Sequence, residues 1–311
     1  MYTSRLFETD NEYLAFIART GLPSDAGNVY QVILTSKAFY SDFYANKQFQ
    51  YSDGSWAVYP DSGNGLGIQA AINACKGGRN DYILVGTGSY TLTVALTLAG
   101  KSSVHLIAVN GGGLAVGTMG AAALTQTGNY QNVIMSPYSE VTGFQMINKV
   151  GYSAVTVADG IWRPNIHHNY FHMVGGSDIN IISAAGSGLS HSRVCNNRFS
   201  TWVGGVLNSA IYNAGGNACD ISNNIITVNG ATVVMDVGIY NGGDQTTTDN
   251  NVLQEANSAV ITLGIVIAPT ASAAGNRFMI AAGRCLFGGS ANLSYSDNRN
   301  GVAGGETCIV T

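Results

Sequence analysis

Cys195-Asn196-Asn197-Arg198-Phe199 and Ser222-Asn223-Asn224-Ile225-Ile226 are two copies of one pattern: a pair of asparagines, one variable residue, then a large apolar side chain. The pattern returns as His167-His168-Asn169-Tyr170-Phe171, Asp249-Asn250-Asn251-Val252-Leu253 and Ala274-Gly275-Asn276-Arg277-Phe278, and is truncated at Ser296-Asp297-Asn298-Arg299. Aligned on the second Asn, the positions are Asn169, Asn197, Asn224, Asn251, Asn276 and Asn298, with steps of 28, 27, 27, 25 and 22 residues. Gly143, 26 residues before Asn169, marks the preceding copy. A period of 20–30 residues means one supersecondary unit stacked on itself. A leucine-rich repeat has a similar period, but its L-x-x-L-x-L framework is missing.

The spacing predicts an all-β fold, a single-stranded right-handed parallel β-helix of about eight rungs between residues 82 and 300. Each strand pairs with its equivalent in the next coil, about 4.8 Å away. The aligned Asn is expected at a sharp corner, where its short polar side chain tolerates left-handed backbone. Stacked Asn side chains are expected to hydrogen-bond along the axis as a ladder. The apolar residue two positions later is expected to fill the solenoid.

Residues 61–110 set the start of the coil. Gly67–Cys75 has Ile68, Ala71, Ile72 and Cys75 at helical spacing, which predicts a helical plug over 67–76. Tyr82–Val85 reads as a strand, Gly86-Thr87-Gly88-Ser89-Tyr90 as a tight turn into a strand, and Leu92, Val94, Leu96 and Leu98 as an alternating run followed by Val104, Leu106 and Ala108. Asn110 to Ala123 is rich in Gly and Ala and reads as an excursion between rungs. This opening resembles that of pectin-lyase-like β-helix proteins, in which a helix of the type IQAAINA plugs the end and strands of the types VPxGTY and LTLxxxVxLIG begin the coils. Here the glycine-rich Val85–Tyr90 replaces the proline-containing element. The resemblance spans about 50 residues and implies fold, not activity.

Residues 1–60 are read as a small α+β N-terminal attachment head and 61–311 as the β-helix. The head holds 13 of the 29 aromatics, including Tyr40, Phe43, Tyr44 and Trp56, a composition suited to docking on another surface or to packing on the body of the same chain. Thr9-Asp10-Asn11-Glu12 is a capping-box pattern before a short apolar helical face. Asn28–Tyr40 alternates like a strand, and Gln48–Tyr59 reads as a hairpin around Ser52-Asp53-Gly54.

Composition narrows the function classes. Charged residues are 10%, against about 25% in ordinary domains. With a net charge of −4 and no Lys/Arg cluster, a phosphate-tracking nucleic-acid groove is not expected. No apolar run of membrane-spanning length occurs, and acids stand in the N-terminal segment where a signal peptide needs an apolar core. Five cysteines without a CxxC pair argue against a disulfide framework or zinc site and for buried reduced thiols. No cofactor is expected.

Enzymes of the resembled fold carry clustered Asp with an Arg base, Asn-Thr-Asp, Asp-Asp and His-Gly signatures, or separated acids. None of the fixed signatures occurs here. Acids in the rung region scatter around the coil, and Asp220, Asp249 and Asp297 fall at expected corners, where they suit turns. The candidate catalytic cluster is Asp159 and Asp178, flanking His167 and His168, with His172 nearby. His167-His168 lacks the strand spacing that aims two imidazoles at one metal. A β-helix body, an aromatic head, no export signal and no catalytic signature together look like a structural protein of a bacteriophage virion, a fold-level analogy. The analogy implies a surface-projecting spike or decoration protein, assembled in the host cytoplasm without a signal peptide. It also implies a trimer, contacts to other virion proteins through the N-terminal region, a host-surface glycan as possible ligand, and neither nucleic acid nor membrane insertion. The alternatives are a polysaccharide-degrading enzyme (tailspike depolymerase or lyase) and a non-catalytic carbohydrate-binding adhesin.

Overall fold

The computed structural model describes residues 28–33, 56–78, 81–86, 88–108, 122–174, 177–181, 191–201, 205–230, 232–268, 270–280, 286–288, 295–296 and 299–300. Within them the chain is a parallel β-solenoid with three faces. The first face runs from Asp81–Val85 through Arg193–Cys195 to Tyr295–Ser296, the second from Gly88–Leu92 through Arg198–Thr201 to Arg299–Asn300, and the third from Leu96–Thr97 through Gly205–Asn213 to Leu286–Gly288. Among the described residues the parallel stacks hold nine, nine and eight strands.

Register explains the repeat. On the second face Tyr90, Leu124, Met146, Phe171, Phe199, Ile226, Leu253 and Phe278 are consecutive partners and all are buried. The rings of Phe171 and Phe199 stack at 4.8 Å with their planes 11° apart. On the third face Val133, Val155, Ile179, Ile211, Ile239 and Ile265 form a second buried column. Each such side chain contributes about 1.5–3 kcal/mol relative to exposure. These columns, not helix-type packing, make the core.

The corner between the first and second faces holds the asparagines. Asn169 Nδ2 donates to Asn197 Oδ1 (3.2 Å), Asn197 to Asn224 (3.1 Å), Asn224 to Asn251 (3.0 Å) and Asn251 to Asn276 (3.1 Å). Each of those Oδ1 atoms also accepts the backbone N–H of the Asn one coil earlier. The second Nδ2 hydrogen goes to a carbonyl of the preceding coil, as from Asn224 to Val194. An amide has two donors and two acceptor sites, so Asn197, Asn224 and Asn251 are saturated while fully buried. Asn298 lies outside the described residues, though the flanking pairs Ala274–Ser296 and Arg277–Arg299 keep the 22-residue step.

The left-handed backbone belongs to the neighbouring residue. His168, Asn196, Asn223 and Asn250 have φ of 54–57°, and Gly143 and Gly275 occupy the same place at 82° and 65°. The paired asparagines therefore divide the work: the first turns the chain, and the second faces inward and bonds. It follows that Phe144, not Gly143, fills the ladder slot of the earlier coil, and its N–H donates to Asn169 Oδ1 at 3.1 Å.

The N-terminal end is closed by a helix, α1 (Leu66–Ala74), burying Ile68, Ala71 and Ile72. Asp61 organises its start: Oδ1 accepts the N–H groups of Gly63, Asn64 and Gly65 at 2.8–3.0 Å, and Oδ2 that of Ile68 at 3.1 Å. Lys101 Nζ donates to the carbonyls of Asn73 and Cys75 at the other end, where a cation is favoured. The Gln69 amide pairs with both backbone groups of Thr97, docking the helix onto the third face.

Three local expectations change. Val94 is 46% exposed because the chain turns there between the second and third faces; Leu92 and Leu96 are buried on separate strands. Of the hairpin expected over 48–59, only residues 56–59 lie within the described residues; Trp56–Pro60 pairs antiparallel with Asn28–Ile33, which in turn pairs antiparallel with Asp81–Val85 and covers that edge of the first coil. Ala122 and Ala123 open a strand, Ala122–Gln126, rather than ending a loop. Asp220 and Asp249 lie in first-face strands instead of at turns. The rest of residues 1–60, Asn110–Gly120 and Asp297 lie outside the described residues.

Candidate functional site

The outward side of the first face carries a column of polar and titratable residues because inward and outward positions alternate along each strand. In register along it stand Tyr82, His105, Glu140, Asn165, Arg193 and Asp220. The parallel column two residues on holds Thr142, His167, Cys195, Ser222 and Asp249.

Glu140 is the centre of this surface. Its Oε2 accepts from His105 Nδ1 at 2.7 Å and its Oε1 from His167 Nε2 at 2.5 Å, so one carboxylate ties three successive coils. Burial alone would push its carboxyl up; the hydrogen bonds from His105 and His167, with their charges, overcome this and hold it at about 2. Tyr82 stacks flat on His105 at 4.2 Å. Its phenol is pushed up to about 12 by burial and by the Glu140 charge, so it stays protonated. His167, donating through Nε2, presents Nδ1 to the Thr142 hydroxyl at 3.2 Å and to His168 Nδ1 at 2.7 Å. Burial, then the charges of His167 and Arg193, lower His168 below the usual imidazole range, favouring its neutral form.

Further along, Arg193 Nε stands 3.5 Å from Asp220, an exposed and weak pair. Asp249 Oδ1 accepts the Ala274 N–H at 2.8 Å; burial raises its carboxyl, the Ala274 bond opposes this, and the Asp220 charge adds to the rise. Burial also raises the Cys195 thiol, which therefore lacks the thiolate character of a nucleophile. Cys75, Cys195 and Cys219 are buried; Cys285 and Cys308 lie outside the described residues.

Of the sequence-derived candidates, His167 and His168 stand together in this cluster. Asp159 is exposed in the segment before the next first-face strand. Asp178 falls in Ser177–Ile181 on the third face, a different side of the solenoid, and its side chain is outside the described residues. His172 belongs to the second face, where it meets Gln145 Nε2 at 2.9 Å and the edge of Tyr170. The partners missing from the sequence reading are His105 and Glu140. They are 35 residues apart, longer than the repeat, because additional chain separates those two coils. Only strand register brings them together. Among the described residues, no group of three or more His, Cys, Asp and Glu is placed to hold a metal ion.

No family model and no curated protein matches the chain. Among solved structures, a chain described as Geobacillus virus E2 ORF18 is similar over 92% of this chain and 72% of its own length, at 11% identity and a TM-score of 0.32. That likeness is too loose to carry a functional argument. Among the described residues, no helix is long and apolar enough to cross a membrane.

Chemically, the first face does cohesive work. Glu140 is enclosed by two imidazoles, Asp220 lies beside Arg193, and Asp249 receives a backbone N–H. Glycoside cleavage needs an acid and a base or nucleophile, both directed at one bond. The acids of this face are directed instead at neighbouring coils.

Proposed function

We propose that this chain is a structural protein of a bacteriophage virion, a surface-projecting β-helix spike or decoration protein held to the particle by its N-terminal region. The observation that carries this reading is cohesion between coils. Saturated Asn amides and the Glu140 clamp with His105 and His167 join coil to coil across the described residues. Such a body is a stiff, sparsely charged rod, suited to standing outside a particle. The aromatic-rich residues 1–60 are assigned to attachment, and a trimer is the assembly expected.

The test is proteomic and structural analysis of purified phage particles that encode the chain. It is expected in washed particles at a fixed copy number, with density for a rod-like projection at its attachment point. Its complete absence from infectious particles would refute the proposal.

A further inference from the structure

We propose that the outward surface of the third face is the contact between copies of this chain, with the stacked rings of Tyr212 and Tyr240 at its centre. It supplies the surface for the assembly expected of a virion projection, and only the trimeric number rests on that reading.

The first observation is a difference among the three outward columns. On the first face the column holds His105, Glu140, Arg193 and Asp220, and on the second it holds Arg198 and Arg277. On the third it runs from Thr97 through Ile134 and Thr156, past the position of Asn180, to Tyr212, Tyr240 and Val266. None of these is charged. The strands of this face contain Asp178 and Asp236 and no Lys, Arg or Glu.

The second observation is how the apolar side chains stand. Tyr212 is 37% and Val260 40% exposed, and Ile134, Val234, Tyr240 and Val266 are partly exposed. Val234 and Val260 are register partners near the start of their strands, while Tyr240 and Val266 are partners near the end, so the patch has width as well as length. The Tyr212 and Tyr240 rings stack at 4.8 Å with their planes 17° apart. A Cβ on Gly242 would stand 2.8 Å from Tyr240 Cε1, so this ring lies close over the Gly242 backbone, where only glycine leaves it room. Rigid rings with an apolar body and a polar tip are the side chains that protein interfaces favour.

The third observation selects the occupant. The strands are two to nine residues long. At about 3.3 Å per residue and about 4.8 Å between strands they make a face of about 650 Å². Standard interfaces bury about 600–1,000 Å² on each partner, so one such face pressed on another suffices. A nucleic acid or an anionic membrane would require the basic residues that this face lacks. A nearly uncharged apolar sheet is instead complementary to an identical sheet. Its column follows the solenoid axis, so two rods can meet side by side over several coils.

Sedimentation velocity of the full chain over a concentration series reads the assembly. Wild-type chain is expected as an oligomer. Tyr212→Glu and Val260→Glu each carry an unpaired carboxylate into the apolar contact, and each is expected to weaken association about tenfold or more. Ile225→Glu changes a residue equally exposed, at 39%, but on the second face, and is expected to associate as wild type. Far-UV circular dichroism checks that all three variants fold. A benzophenone-bearing residue placed at position 212 is expected to cross-link one copy to another, and the same residue at position 225 is not. Wild-type chain that stays monomeric at every concentration overturns the proposal. So does an oligomer that withstands both third-face substitutions or that Ile225→Glu disrupts equally, and so does a cross-link from position 212 that falls within one chain. A monomer found on washed particles refutes this interface alone. Chain that associates through this face but is absent from particles refutes the virion role alone.

Discussion

At the scale of the residue, the paired asparagines show how one dipeptide meets two demands. The first must adopt left-handed backbone; the second must satisfy four hydrogen-bonding positions inside a corner closed to water. Replacement separates them. Asn224→Ala leaves the Asn197 N–H, the Val194 carbonyl and the Asn251 side chain short of partners in a buried site. At about 1–3 kcal/mol for each unsatisfied group, a loss of about 3 kcal/mol or more is expected. Asn223→Gly, one residue away at φ 57°, is expected to change stability by less than about 1 kcal/mol. Denaturant midpoints of both variants check this, and equal losses would show that the roles are not divided. The repeat was legible because Asn recurs at nearly constant spacing. Which Asn turns and which bonds was not, since both residue types are identical and only φ distinguishes them.

At the scale of the element, the Glu140 clamp links the strands Val104–Ala108, Glu140–Thr142 and Asn165–His167 across their outward side. An acid held in the folded chain at about 2, below its usual 4.5, stabilises the fold fully above pH 4.5 and loses that contribution as the pH falls toward 2. The difference corresponds to about 3 kcal/mol. Wild-type protein should therefore lose stability between those values. Glu140→Gln should begin less stable at pH 7 and show a flatter decline over the same interval. Thermal melts at several pH values decide it, and parallel curves for the two proteins would contradict the clamp. Strand positions such as Tyr82–Val85 were readable from apolar β-prone residues. The clamp was not, because a long stretch between His105 and Glu140 breaks the repeat at the one place where register was needed. The partner of Trp56–Pro60 was hidden likewise: antiparallel pairing with Asn28–Ile33 is non-local, and nothing in the local turn chemistry signals it.

At the scale of the molecule, each coil meets only its neighbours, so stability is a sum of coil and interface contributions. A coil should then be insertable. Duplicating residues 197–223, one 27-residue step of the ladder, should give a folded chain with a similar melting temperature and about 4.8 Å more axial length, measurable by small-angle scattering. An unfolded or aggregated product would show that the coils are not interchangeable units. A stacked coil with a continuous core was legible from periodicity alone, whereas the number of faces and the contents of the outward columns depended on register that spacing fixes only approximately. The central claim is that successive coils lie directly over one another at the asparagine corner. A crystal structure tests it most directly: the Cα atoms of Asn197, Asn224 and Asn251 should follow at steps of about 4.8 Å, each amide bonded to the next. Steps well beyond that, or amides turned to solvent, would contradict the account.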